Sequence, residues 1–224
     1  MNAAIKLENV LKQYPPRIRA VNGISMRVPA GERVCIQGAP GSGKTTLMRL
    51  IAGMEPVSDG SIFIFDTPLH TLSDDARAEF RNRMFGVIQR DPAFFKSLSV
   101  AENVALPLTI RRVSPAERLR AAQGHLEALG IAHLSYAWPE RLSPFETRLC
   151  AAARALIAKP DILLLDDVCA GLSEWEARKL ADTLDALWRD GGYTMLCFTG
   201  ASECAIPFDK KFSLHYGKLQ EDEL

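Results

Sequence analysis

"VCIQGAPGSGKTTLMRLIAG", residues 34–53, decides the fold. It opens as a strand-length apolar run, turns through Gly38-Ala39-Pro40-Gly41-Ser42-Gly43-Lys44-Thr45, and continues as a helical pattern from Thr45 to Met54. Every fixed position of G-x-x-x-x-G-K-[ST] is filled, and the strand before and helix after are the context that pattern requires. The glycines let the backbone curl until successive N–H groups face one anion. The helix N-terminus adds partial positive charge. Lys44 offers a point charge to β- and γ-phosphates, and Thr45 a hydroxyl to Mg²⁺. The candidate nucleotide-binding residues are therefore Gly38, Ala39, Pro40, Gly41, Ser42, Gly43, Lys44, Thr45 and Thr46.

Three further apolar runs resemble "VCIQG" (34–38): "FGVIQ" (85–89), "ILLLDD" (162–167) and "TMLCFTG" (194–200). Each is strand-length and ends in a polar residue or glycine, as buried parallel strands with chemistry at their carboxyl ends do. Helical patterns at Thr45–Met54, Arg148–Ala158 and Ala177–Arg189 lie between them. The alternation predicts an α/β layer fold with a P-loop core. "AIKLENVLKQY", "AVNGISMRVPAGE" and "GSIFIFDTPL" alternate like antiparallel strands. Residues 91–158 read as an inserted, mostly helical lobe with breaks marked by Pro107, Pro115, Pro139 and Pro144. The expectation is one domain over 1–224: an antiparallel β part plus core from 1–90 and 159–224, with the lobe between. Asp166, ending an apolar strand behind a P-loop, is the candidate to hold Mg²⁺ through water, and Asp167 sits beside it.

The chain has 224 residues, 47% hydrophobic, enough for a substantial core. Its 27 basic and 27 acidic residues balance, which argues against a nucleic-acid polyanion as main partner. No apolar run approaches the ~20 residues that span a bilayer, and "MNAAIKLENVLKQYPP" lacks signal-peptide features. A cytosolic location is expected. Cysteines 35, 150, 169, 197 and 204 form no Cys-x-x-Cys pair and read as small buried hydrophobes rather than a disulfide or zinc set.

With these motifs in this order, the whole chain resembles the ATP-binding subunit of an ABC transporter. "SLSVAENVALPL" (97–108) resembles the lobe of the lipoprotein-releasing, macrolide-export and cell-division branch. The resemblance implies several roles. Tyr14 stands where the family stacks an aromatic on adenine. Gln89 stands where its glutamine touches Mg²⁺ and the attacking water, so Thr45, Gln89 and Asp166 form the implied metal set. Ser143 is the serine of the signature segment, which faces the γ-phosphate on the partner. The implied catalytic residues are Lys44, Gln89 and Asp167, and the implied cofactors are ATP and Mg²⁺. The implied partners are an integral membrane permease, docking on the helical lobe, and a second ATP-binding subunit, identical or not. The implied place is peripheral, on the inner face of the cell membrane.

Four positions depart from the family's pattern. Asp167 replaces the usual catalytic glutamate, withdrawing the carboxylate by one carbon–carbon bond, about 1.5 Å. Gly200 replaces a histidine that contacts the γ-phosphate. Ser173 replaces the aspartate that ends the next turn. Ser143-Pro144-Phe145-Glu146 replaces serine, two glycines and glutamine. Pro144 has no N–H to offer an anion, and Phe145 puts a ring where backbone should approach. As a helix start the same segment is strong: Ser143 suits the N-cap, Pro144 the first position, and Glu146 completes a capping box. In the family's dimer one composite site would use this chain's Asp167 and Gly200, the other its "LSPFE", so each site carries a departure whatever the partner.

These features predict Mg-ATP binding with slow turnover, coupled to a membrane partner. The alternative is a regulatory or interaction module with little or no ATPase activity. A soluble ABC-type ATPase of ribosome or chromosome fits less well, since the chain carries one such domain and no long coiled-coil insertion.

Overall fold

The computed structural model describes residues 3–200 and 205–222; Cys204 of the cysteine reading lies outside them. The strands, in chain order, are β1 (Ala3–Tyr14), β2 (Ile18–Pro29), β3 (Arg33–Gln37), β4 (Asp59–Ile64), β5 (Thr67–Pro68), β6 (Phe85–Gln89), β7 (Ile162–Asp166), β8 (Thr194–Thr199), β9 (Lys210–His215) and β10 (Lys218–Glu221). The helices are α1 (Lys44–Ile51), α2 (Asp74–Met84), α3 (Val100–Ile110), α4 (Pro115–Ala128), α5 (Pro144–Leu156) and α6 (Glu174–Gly191).

Two sheets divide the strands. One is antiparallel, in the order β2-β1-β4-β5; the other runs β10-β9-β3-β8-β7-β6. In the second sheet β9, β3, β8, β7 and β6 are parallel neighbours, and only β10 runs antiparallel. All four leucine and isoleucine residues of "ILLLD" and all six of "TMLCFT" are buried, as central strands covered on both faces must be. Ile5, Ile64, Ile36, Leu47, Met48 and Phe198 fill the space between the two sheets around α1. A second core, with Ile88, Val104, Leu126, Ala152 and Leu165, lies beneath the lobe helices α3, α4 and α5.

The α/β class and the antiparallel part follow the sequence reading. Several details differ. Helix α5 spans Pro144–Leu156 rather than Arg148–Ala158, since its cap at Ser143 starts it earlier. Pro107 does not break the chain: it lies inside α3, near its end, where one missing N–H frees only one carbonyl. Helix α1 stops at Ile51 rather than Met54, because the chain turns at Gly53 with φ +64°. Helix α6 starts at Glu174, three residues early, because Ser173 caps it: Ser173 Oγ accepts from Glu176 N–H at 3.3 Å and Glu176 Oε2 accepts from Ser173 N–H at 2.9 Å.

The opening of α5 has the capping box expected of "SPFE". Ser143 Oγ accepts from Glu146 N–H at 3.2 Å, Glu146 Oε2 accepts from Ser143 N–H at 2.8 Å, and Pro144 occupies the first turn. Ser143→Ala should cost about 1 kcal/mol and lower Tm by ~2–4 °C for a chain of this size, measured by thermal unfolding. Among the described residues no helix is long and apolar enough to cross a membrane.

Candidate functional site

The P-loop leaves β3 and enters α1 with its donors open. Helix α1 has no side-chain cap and no acidic residue in its first turn, so its N–H groups and positive end stay available to an anion. Gly43 holds φ +108°, and a Cβ there would stand 2.1 Å from the Ala20 carbonyl; only glycine fits. Ala39, Pro40 and Gly41 form the exposed crest, while Ser42 and Lys44 are buried. Lys44 Nζ folds back to donate to the carbonyls of Gly38 at 2.6 Å and Ala39 at 3.1 Å. Ser42 Oγ is buried with no hydrogen-bond partner. An orphaned buried hydroxyl beside a buried ammonium and an uncapped helix start fits a bound phosphate group.

The carboxyl ends of three strands meet beside this loop. Gln89 of β6 is in register with Asp166 of β7, which pairs with Phe198 of β8. Thr45 Oγ1 donates to Asp166 Oδ2 at 3.5 Å. Hydroxyl, carboxylate and amide oxygens are the hard donors that Mg²⁺ prefers, so the set fits that ion. Burial raises the pKa of Asp166, and the neighbouring Asp167 raises it further, against smaller opposing effects of Thr45, Lys44 and Arg49. An acid with a raised folded pKa loses folded-state stability as pH climbs from its ordinary value through the raised one. Above that window, ionised Asp166 is thus a cost to the empty protein. Asp166→Asn should raise Tm of the nucleotide-free chain while removing the Mg²⁺ requirement from nucleotide binding, checked by thermal unfolding and by titration with and without Mg²⁺.

Asp167 sits in the left-handed region at φ +48°. Its N–H donates to the Phe198 carbonyl at 2.8 Å, and its Oδ1 accepts from the Gly200 N–H at 2.7 Å. Asp167 and Gly200 are thus bonded to each other.

Tyr14 is half-buried next to α1. Its hydroxyl donates to Glu55 Oε2 at 2.5 Å, and Lys12 Nζ lies 5.2 Å from the ring centre. Burial first, then Glu55, raises its pKa, while Thr46 of α1 opposes them. Ser143 stands apart from the loop, at the start of α5, which packs on α3, α4, α6 and β6. Phe145 turns toward α6: its ring is 6.3 Å from that of Trp175, and Lys179 Nζ lies 5.7 Å and 4.8 Å from the two rings. The structure therefore gathers Gly38 to Thr46, Gln89, Asp166 and Asp167 at the carboxyl ends of the parallel strands, with Tyr14 alongside α1 and Ser143 elsewhere. Glu55 escaped the sequence reading, because its only local signal is a Glu-Pro pair after the helix.

A P-loop between a parallel strand and a helix, with an acidic strand end beside it, defines a P-loop nucleoside triphosphatase. Comparison with known proteins narrows this. A model of the ABC transporter family matches residues 21–170. YbbA of Escherichia coli K12, an ABC transporter ATP-binding protein, is 32% identical over 216 residues, covering 96% of this chain and 95% of that one. The lipoprotein-releasing system ATP-binding protein LolD of Bordetella pertussis is 31% identical over 222 residues, covering 98% and 96%. Among solved structures, the dimeric post-hydrolysis state of the ATP-binding cassette MJ0796, bound to ADP and Pi, superposes with a TM-score of 0.89 at 26% identity, covering 97% and 98%. The chain belongs to the ABC transporter family, as an ATP-binding subunit in the LolD-like branch.

Proposed function

We propose that this chain binds Mg-ATP and turns it over slowly, using closure on a second ATP-binding subunit to drive a conformational change in a membrane partner. The observation that carries the reading is a contrast at the carboxyl ends of the parallel strands. The phosphate loop keeps every binding element, including the orphaned Ser42 hydroxyl, whereas the Asp167 carboxylate is tied to the Gly200 N–H.

In this reading Lys44 and the α1 N–H groups hold the phosphates, and Tyr14 stacks on adenine through the ring that Glu55 fixes by its hydroxyl. Thr45, Gln89 and Asp166 would hold Mg²⁺, which supplies neutralisation of charge on the phosphates. Among the described residues Asp167 is the carboxylate that would orient water. It is a methylene short of the family's glutamate, and a displacement of about 1 Å can cost ~100-fold in rate. Ser143 reaches the partner's nucleotide poorly, since its hydroxyl already accepts from Glu146 N–H. The Glu146 carboxylate also occupies that positive helix end.

The membrane partner docks on the lobe side, at a groove of about 720 Å³ lined by Met54, Asn82, Phe85, Ile110 and Arg111. Ile110 and Met54 are 66% and 42% exposed there, apolar surface that a partner would cover. The chain then works at the inner face of the cell membrane, with a homo- or heterodimeric partner. The regulatory module is kept as a second reading because the Asp167–Gly200 bond favours binding over hydrolysis. Substrate movement lost with Asp167→Asn supports transport. Function kept with that substitution but lost with Lys44→Ala supports the regulatory module.

A further inference from the structure

Arg148 is a buried cation without a role so far. It lies in the second turn of α5, only 4% exposed, and its Nε donates to the Val168 carbonyl at 3.2 Å. Val168 directly follows Asp167. The turn that carries Asp167 is short and internally bonded: Ala170 N–H donates to the Asp167 carbonyl at 3.0 Å, and Leu172 N–H to the Cys169 carbonyl at 3.3 Å. On its core side the turn is fixed by Phe198 and Gly200, through the Asp167 N–H and carboxylate. On its lobe side Arg148 grips it from the helix that Ser143 caps. Arg148 also feels the segment after Gln89: Asp91 and Arg90 act on its charge with opposite signs, and burial holds its pKa below the usual guanidinium range. Arg90 itself leans to the same turn, since a Cβ on Gly171 would lie 3.9 Å from its Nη2.

Burying a guanidinium is costly, and an apolar residue of similar length would commonly serve stability as well or better. A charge kept at that cost, on a side chain of α5 bonded to this turn, calls for a reason other than packing.

We propose that Arg148 is a positioning residue: by holding the Val168 carbonyl it ties Asp167 to the signature helix, so that the position of the helical lobe sets where the Asp167 carboxylate stands. The inference rests on Asp167 being the carboxylate that acts in hydrolysis. It predicts that lobe and turn move together, and that cutting the tie affects turnover but not nucleotide binding.

The test compares wild type, Arg148→Met, Arg148→Lys, Asp167→Asn and the Arg148→Met/Asp167→Asn double variant. Single-turnover hydrolysis of Mg-ATP is measured at excess protein, together with hydrogen exchange of the 168–172 amides. Arg148→Met should lower the hydrolysis rate about tenfold, leave the Kd for Mg-ATP within about twofold, and leave Tm unchanged or raised, a tenfold effect being about 1.4 kcal/mol. Its 168–172 amides should exchange faster than those of wild type. Arg148→Lys, which keeps a charge and a donor, should recover part of both effects. Adding Arg148→Met to Asp167→Asn should lower the rate no further. Unchanged exchange of 168–172 in both Arg148 variants would overturn the tie. A raised Kd with an unchanged rate would assign Arg148 to binding instead and overturn it too. An Asp167→Asn rate equal to wild type would sink the Asp167 reading itself, a separate outcome from failure of the tie.

Discussion

Lys44→Ala is expected to weaken Mg-ATP binding by at least ~30-fold, since truncating one partner of a desolvated charge pair commonly costs about 2–5 kcal/mol. Lys44 is buried at the base of the loop, with its ammonium held by the Gly38 and Ala39 carbonyls. That placement already aims the charge at the space the loop encloses, so little reorganisation is needed when phosphate arrives. The same bonds brace the empty loop, and alanine would leave two carbonyls without that donor, lowering Tm as well. Lys44→Met separates the two effects, because it keeps most of the apolar stem and removes the charge. Calorimetric titration should give the same loss of affinity for both variants, with the smaller Tm loss for methionine.

Asp167→Glu combined with Gly200→His is expected to raise turnover about 100-fold over wild type. The added methylene restores about 1.5 Å of reach. Gly200 has no positive φ, and among the described residues a Cβ there would meet Asp167 Oδ1 at 3.8 Å, an ordinary contact, so the backbone accepts a side chain. The gain has a cost elsewhere. Asp167 occupies left-handed backbone at φ +48°, which aspartate tolerates better than glutamate, so the double variant should lose about 1 kcal/mol of stability. Steady-state phosphate release checks the rate and thermal unfolding the cost. A double variant no faster than wild type would mean that the position of this carboxylate does not limit hydrolysis.

The P-loop was legible because its chemistry demands fixed residues at fixed spacing, within a strand-to-helix context that the apolar pattern reveals. Central strands such as "ILLLD" were legible because burial on both faces leaves an unbroken apolar run. Strands β9 and β10 were not: "KKFSLH" and "KLQE" carry charges at the edge of the sheet, and only Phe212 and Leu214 are buried. Helix α2 escaped for the same reason, since "DDARAEFRNRM" buries only Phe80. The start of α6 was misplaced because Ser173 was weighed as a lost aspartate and not as a cap, although Glu176 three residues on completes the box. At the site, Glu55 lies 41 residues from Tyr14 and Gly200 lies 33 from Asp167. Such pairings depend on tertiary approach, which local pattern does not encode. Arg148 read as an ordinary helical arginine because nothing in its neighbours announces that it is buried.

The central proposal is that this chain binds Mg-ATP through an intact phosphate loop and turns it over slowly because Asp167 and the start of α5 serve hydrolysis poorly. One measurement meets it directly: equilibrium binding of Mg-ATP and its turnover, determined on the same purified sample, with Lys44→Ala as reference. The account predicts saturable binding that Lys44→Ala strongly weakens, with turnover far below the ~10 s⁻¹ typical of enzymes. Turnover at or above that rate, or an affinity that Lys44→Ala leaves unchanged, would contradict it.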